Sequence, residues 1–164
     1  SRPAGRSLGL WGHGTRERTV RGPRSATGLP EEFVIRVRRY LCRACRITVT
    51  VVPLGVARCY QYAGFAIALA FALWGLERQP AAAVRDAIST WPQVGSSQRG
   101  RWRSLGRWVG AVTCGRLFRG TATSFGSLRD VAARVAEVAV GRAPPGDRAT
   151  CRRHRAWRGG EVMA

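Results

Sequence analysis

The sequence predicts a mostly α-helical fold with a small β-hairpin near its start, followed by a helical domain like a helix-turn-helix. Two observations predict this fold. Two short segments rich in β-branched residues flank a Cys-x-x-Cys turn. Three helical segments follow them, with the lengths typical of a helix-turn-helix core. A third observation concerns charge: all 28 basic residues are arginines, and the formal net charge is +19.

Residues 1–30 are rich in Gly, Arg, Ser and Pro and show little periodicity, so we expect an irregular basic segment. Residues 31–58 are expected to form the hairpin. Phe33 to Leu41 alternates between apolar and basic residues, which is typical of a half-buried strand. Ile47 to Val52 is β-branched throughout and predicts a second strand. The turn between them contains Cys42 and Cys45, which gives the hairpin the shape of a zinc knuckle.

Residues 59–118 are expected to form the helical domain. The stretch 60–76 is apolar almost all round and predicts a buried helix. Pro80 suits the first turn of a short helix at 81–88, and a serine at 96 or 97 suits the cap of a third helix at 97–112. Three helices of these lengths are typical of a helix-turn-helix core, although the link before the third is longer than usual.

Residues 119–142 predict an additional helix. Its start, Ser127-Leu128-Arg129-Asp130, is a loose match to a capping box, because Asp stands where Glu or Gln is preferred. Residues 143–164 are rich in Pro, Gly and Arg, so we expect a disordered basic tail.

The charge indicates a polyanionic partner, with double-stranded DNA as the first expectation and an anionic membrane surface as the second. The exclusive use of arginine partly reflects GC-rich coding, and the charge acts on partners whatever its origin. The apolar run Tyr62 to Leu76 has fifteen residues, fewer than the ~20 that a membrane-spanning helix needs. The run is therefore expected to be a buried helix. The alternative is a small membrane-associated protein that uses this helix, and a further alternative is a decayed reading frame without function.

The helix at 97–112 has two different sides. Trp102, Leu105, Val109 and Val112 form an apolar stripe. Arginines recur on the opposite side, where they suit contact with DNA phosphates or guanine. The alternative is a solvated basic face. The expected DNA-contacting residues are Arg99, Arg103 and Arg107, with Arg101 at the edge of the face.

Cys42 and Cys45 are the candidate metal ligands. Two thiolates at this spacing chelate one zinc ion from a tight turn, but a structural zinc site needs four ligands. The other cysteines and both histidines are scattered, so the alternative is two ordinary thiols in a hairpin. An odd cysteine count without a secretory signal favours a reducing cytoplasm. We expect no catalytic centre, because Asp86, Asp130 and Asp147 lie far apart in the sequence and clustered carboxylates are what a metal-dependent nuclease needs.

Several segments of residues 10–118 together resemble bacterial transposase-related proteins that combine a zinc ribbon with a helix-turn-helix. The segments are Gly12 to Arg18, Val37 to Cys45, Val51 to Pro53, Ala66 to Ile88 and Arg101 to Trp108. The resemblance implies a four-cysteine ribbon in which Cys42 and Cys45 are the second pair and the first pair lies upstream of Ser1. It therefore implies zinc in a longer protein, DNA binding and mobile-element ancestry without a transposase catalytic domain.

Overall fold

The computed structural model describes residues 9–91, 102–121, 126–147 and 150–164. These residues form one three-stranded antiparallel sheet and five α-helices. The fold is therefore mixed α and β, and the prediction of a mostly α-helical chain is not confirmed.

The strands are β1 (Leu10–Pro23), β2 (Pro30–Cys42) and β3 (Thr48–Val51), and they follow one another in the sheet in chain order. The predicted hairpin is confirmed as β2 and β3. The prediction of an irregular segment over residues 1–30 is wrong for β1. Gly12 and Gly14 depress the local strand signal, but β1 is held along its length by non-local pairing with β2, which overrides propensity.

The helices are α1 (Gly64–Phe71), α2 (Ala81–Ile88), α3 (Arg103–Thr113), α4 (Leu128–Arg142) and α5 (Arg152–Met163). A π-helical turn, Ala72–Leu76, continues α1, and a short 3-10 helix, Pro145–Asp147, precedes α5. The predicted helices at 60–76 and 81–88 are both present, although the first begins at Gly64. The first residues of the predicted helix at 97–112 lie outside the described part of the chain.

Helix α1 is the centre of the core. Ile67 and Phe71 are completely buried, and helices α4 and α5 pack against this segment. The helices approach closely because glycines face their neighbours: a Cβ on Gly160 would overlap Ala68, and one on Gly64 would overlap Ala164. Helix α3 docks through aromatic contacts, with the Trp108 ring centroid 5.1 Å from that of Tyr62.

The prediction of a disordered tail over 143–164 is wrong for residues 152–163, which form α5. Ala156, Gly159, Gly160 and Met163 are buried against the rest of the fold. The small residues allow this close contact. In the sequence, the same glycines, together with Pro and Arg, had favoured a disordered tail. An ion pair at 2.6 Å between Arg153 and Glu77 adds a link to the end of the π-helical turn.

Helix α4 begins with the capping box that the sequence suggested only loosely. The Ser127 hydroxyl accepts a hydrogen bond from the Asp130 backbone N–H at 3.3 Å, and the Asp130 carboxylate accepts one from the Ser127 backbone N–H at 3.1 Å. Asp is thus long enough to replace Glu here.

Within the described residues, every helix is too short or too polar to span a bilayer.

Candidate nucleic-acid interface

Every acidic side chain of this chain already has an arginine partner. All nine lie in the described residues, and each has a carboxylate oxygen within 4.0 Å of an arginine nitrogen. The acidic residues are Glu17, Glu31, Glu32, Glu77, Asp86, Asp130, Glu137, Asp147 and Glu161, and their partners are Arg36, Arg24, Arg21, Arg153, Arg85, Arg78, Arg152 and Arg158, the last of which serves both Asp147 and Glu161.

The other described arginines have no carboxylate oxygen of this chain within 4.0 Å, although Arg134 is near enough to Asp130 to help lower the pKa of that carboxyl. Arg18, Arg129 and Arg155 donate hydrogen bonds to backbone carbonyls, so part of their hydrogen-bonding capacity is used within the fold. The remaining ones are Arg16, Arg38, Arg39, Arg43, Arg46, Arg58, Arg103, Arg107, Arg116, Arg119, Arg134 and Arg142. Many of them fall into two groups, one on the sheet and one along and after α3.

The first group lies on one end of the sheet, which we call the arm and define as residues 10–16 and 38–51. None of these residues is buried, whereas Val20, farther along β1, and Val37, which adjoins the arm on β2, are buried. Because successive side chains on a strand point to opposite faces, the absence of buried residues along the arm means that both of its faces are at least partly open to solvent. The arm carries five arginines and no acidic residue.

The tip of the arm combines a cation with an aromatic ring. The Arg43 guanidinium carbon lies 4.3 Å from the ring centroid of Trp11, whose side chain is 60% exposed. The Arg43 backbone N–H also donates to the carbonyl of Gly9 at 3.0 Å. Guanidinium groups and indole rings are the side chains that bind phosphates and stack on bases, respectively.

Cys42 and Cys45 lie together in the turn between β2 and β3. The Cys42 N–H donates to the Ile47 carbonyl, and the Arg46 N–H donates to the Cys42 carbonyl, both at 2.9 Å. Arg46 adopts a left-handed conformation with φ of 61°, which allows the chain to reverse. Hydrogen bonds from the Cys45 backbone N–H and thiol, and then from the Ala44 N–H, hold the pKa of the Cys42 thiol below its usual value.

The two predicted metal ligands lie in the same turn, and all five cysteines are free thiols. Within the described part of the chain, no group of three or more His, Cys, Asp or Glu side chains is close enough to hold a metal ion. The pair supplies half of the ligands that a structural zinc site uses.

The second group of arginines lies on α3. Arg103 and Arg107 are exposed, while Leu105, Val109 and Val112 are buried, so the predicted division of this helix into a basic and an apolar side is confirmed. The predicted contacts Arg99 and Arg101 lie outside the described residues. Two exposed arginines that follow the helix, Arg116 and Arg119, extend the basic group and had not been predicted.

The arm is the part of the candidate interface that sequence reasoning missed. The sequence does contain a sign of this basic surface, because residues 36–46 include five arginines and no acidic residue. These arginines are Arg36, Arg38, Arg39, Arg43 and Arg46. The missing information was the partner strand, because residues 10–16 contain two glycines and few β-branched side chains.

No protein-family model matches this chain, and no curated protein or solved structure is significantly similar to it. The resemblance to transposase-related proteins therefore stays a prediction that depends on the residues quoted for it.

Proposed function

We propose that this chain binds nucleic acid, double-stranded DNA in particular, through the arm and the exposed side of α3. One observation carries the proposal: the arginines of these two surfaces have no carboxylate partner in the chain, whereas every acidic side chain is already paired. Bringing these guanidinium groups against phosphates releases the counterions condensed on the duplex, which favours binding.

The width of the arm favours contact with the phosphate backbone. Residues 38–41 pair with β1 on one side and with β3 on the other, so the arm has three strands at this point. Strands lie about 4.8 Å apart, so three of them span roughly 10 Å between backbones before side chains are added. A major groove about 12 Å wide accepts a helix or a two-stranded ribbon more easily than this arm.

Helix α3 is the second contact surface in the proposal. Arg103 and Arg107 are four residues apart and therefore lie one turn apart on the same side of the helix. The apolar side of α3 packs on the core, so the basic side is held facing solvent without a cost to the core. The finer proposal, that α1 to α3 act as a helix-turn-helix with α3 as the contact helix, follows the order and lengths of these helices.

Cys42 and Cys45 are proposed as structural zinc ligands. The turn fits this role, since both cysteines lie in one tight turn closed by backbone hydrogen bonds of Cys42 with Ile47 and Arg46. Zinc there would hold the ends of β2 and β3 together. The resemblance to transposase-related proteins supports mobile-element ancestry for the same segment.

The membrane-associated alternative is less well supported by the fold. The apolar residues that would have to enter a bilayer, among them Ile67, Leu69 and Phe71, form the centre of the core. An interfacial helix needs an apolar face turned away from the protein. The surface that remains available to an anionic membrane is the basic one, which attracts any polyanion.

The test is a titration of the whole chain into a labelled 20-base-pair duplex at several salt concentrations. Each phosphate contact contributes about −0.9 to the slope of log K against log salt. If the five arginines of the arm and two of α3 all contact phosphates, the slope is therefore about −6, and it is shallower but still negative if fewer of them do. Binding that is independent of salt, or undetectable at low salt, would contradict the proposal. Binding to phosphatidylserine vesicles without binding to the duplex would favour the membrane alternative.

A further inference from the structure

The turn at the tip of the arm has the backbone arrangement of a metal-binding knuckle. The Cys42 N–H donates to the Ile47 carbonyl and the Arg46 N–H donates to the Cys42 carbonyl, both at 2.9 Å, so the chain reverses direction around the two cysteines. This reversal places Cys42 and Cys45 in one tight turn at the tip. Two thiols at this spacing in a tight turn can chelate one metal ion.

The knuckle lacks two of the four ligands that structural zinc takes. The described residues contain no third His, Cys, Asp or Glu close to this pair. The missing ligands must therefore come from somewhere other than the described fold. The position of the pair decides which source is accessible, because no residue of the arm is buried and Cys45 is exposed to solvent.

We infer that one zinc ion joins two copies of this chain tip to tip, with Cys42 and Cys45 of each copy as its four ligands. This inference rests on the proposed zinc-binding role of the two cysteines, and it is tested separately from the proposed binding of nucleic acid, which uses Arg43 and Arg46 of the same tip. A two-fold axis through the metal makes the contact closed, so the assembly stops at a dimer.

Charge supports a zinc-centred contact between two basic arms. Four thiolates around Zn²⁺ leave a net charge of −2 at the centre, and the four thiol protons pass to solvent on binding. Arg43 lies between the two cysteines and Arg46 follows them, so each copy brings two arginines to the same turn. The attraction of these groups to the centre opposes the repulsion between the two arms.

The experiment measures the mass and the zinc content of the whole chain. The chain is reduced and stripped of metal, and one half-equivalent of zinc sulfate is added before light scattering and elemental analysis. The monomer has a mass of 17.9 kDa, so the inference expects a particle of twice that mass with one zinc ion per two chains. Cobalt in place of zinc should give the thiolate-to-metal charge-transfer band of a tetrahedral four-sulfur site.

The matched variants are C42S/C45S and C59S/C114S, each of which removes two thiols from the chain. Zinc-dependent dimers that are lost in the first variant and kept in the second support the inference. A dimer that persists in C42S/C45S would overturn it. A monomer with one zinc ion would overturn it while leaving the Cys pair as ligands, and a chain that takes up no zinc would overturn both. Duplex binding by the metal-free chain tests the other proposal separately.

Discussion

The guanidinium carbon of Arg43 lies 4.3 Å from the indole centroid of Trp11, so the first residues of β1 are held against the turn that carries both candidate zinc ligands. The hydrogen bond from the Arg43 N–H to Gly9 strengthens the same connection. A cation–π contact at an exposed site contributes about 0.5–1 kcal/mol. The pair therefore orders the tip of the arm without deciding whether the chain folds.

Replacing Trp11 by alanine should weaken duplex binding and leave the fold intact. The Trp11–Arg43 contact orders the tip and is worth about 0.5–1 kcal/mol, so its loss should lower the affinity by at most roughly two- to five-fold. The matched control is W91A. Trp91 is 59% exposed and its ring lies under the Arg21 guanidinium, but it is outside the arm. Fluorescence anisotropy measures both affinities. An equal loss in the two variants would show that the position of Trp11 in the arm has no special importance.

Replacing Arg103 and Arg107 by glutamine should lower duplex affinity without lowering the melting temperature. Both side chains are exposed and have no carboxylate partner among the described residues, so their loss removes charge but no packing. The control is R134Q/R142Q on α4, which removes the same charge from exposed positions outside the proposed surfaces. If the two variants bind DNA alike, α3 is not a contact surface.

Two glycine-to-alanine substitutions should change stability in opposite directions. A Cβ on Gly159 would overlap the Ala139 carbonyl where α5 meets α4, so G159A should cost about 1–3 kcal/mol. Gly110 lies within α3 with no heavy atom within 4 Å of an added Cβ, so G110A should stabilise the chain by about 0.5–1 kcal/mol. Urea unfolding measures both. A neutral G159A would show that α5 does not pack as closely as described.

The capping box of α4 should make stability depend on pH in the acid range. The hydrogen bonds from the Ser127 hydroxyl and backbone N–H to the Asp130 carboxylate hold the pKa of Asp130 below its usual value, with smaller effects of Arg78 and Arg134. Because this pKa is lower in the folded chain than in the unfolded one, the stabilisation is present above the unfolded pKa of about 3.9 and is lost as pH falls through the folded pKa.

The variant S127A tests this dependence. It removes the hydroxyl donor, so the pKa of Asp130 should rise towards its usual value and the melting temperature at neutral pH should fall by a few degrees. Between neutral pH and pH values below about 4, S127A should lose less stability than the unmodified chain. The variant D130N, which cannot titrate, provides the control. Equal acid-induced losses in S127A and the unmodified chain would contradict the assigned role of the cap.

Sequence patterns predicted the elements of this fold that are determined by residues close together in the chain. The sequence predicted α2 with the bounds that are observed, and it predicted the hairpin of β2 and β3 and the two sides of α3. Strand β1 and helix α5 were missed because each depends on a distant partner. The pairing of β1 with β2 overrides the weak strand propensity of residues 10–16, and the glycines of α5 are explained only by the helices that they contact.

The same distinction applies to the candidate interface. The charge, the Cys-x-x-Cys pair and the basic side of α3 are visible in the sequence. The arm is not visible, because it needs β1 to be placed beside β2. The pairing of every acidic side chain with an arginine is also a property of the three-dimensional fold, since Arg153 and Glu77 are far apart in the chain and only 2.6 Å apart in space.

The measurement that tests the central claim most directly compares the salt dependence of duplex binding in R38Q/R43Q with that in R134Q/R142Q. Each variant removes two exposed arginines, none of which has a carboxylate oxygen within 4.0 Å in the described residues; Arg134 has only a longer-range attraction to Asp130. If the arm lies against phosphates, the slope of log K against log salt should become shallower by about 1.8 in R38Q/R43Q and stay nearly unchanged in R134Q/R142Q. Equal slopes in both variants would contradict the proposal that the arm is the site of binding.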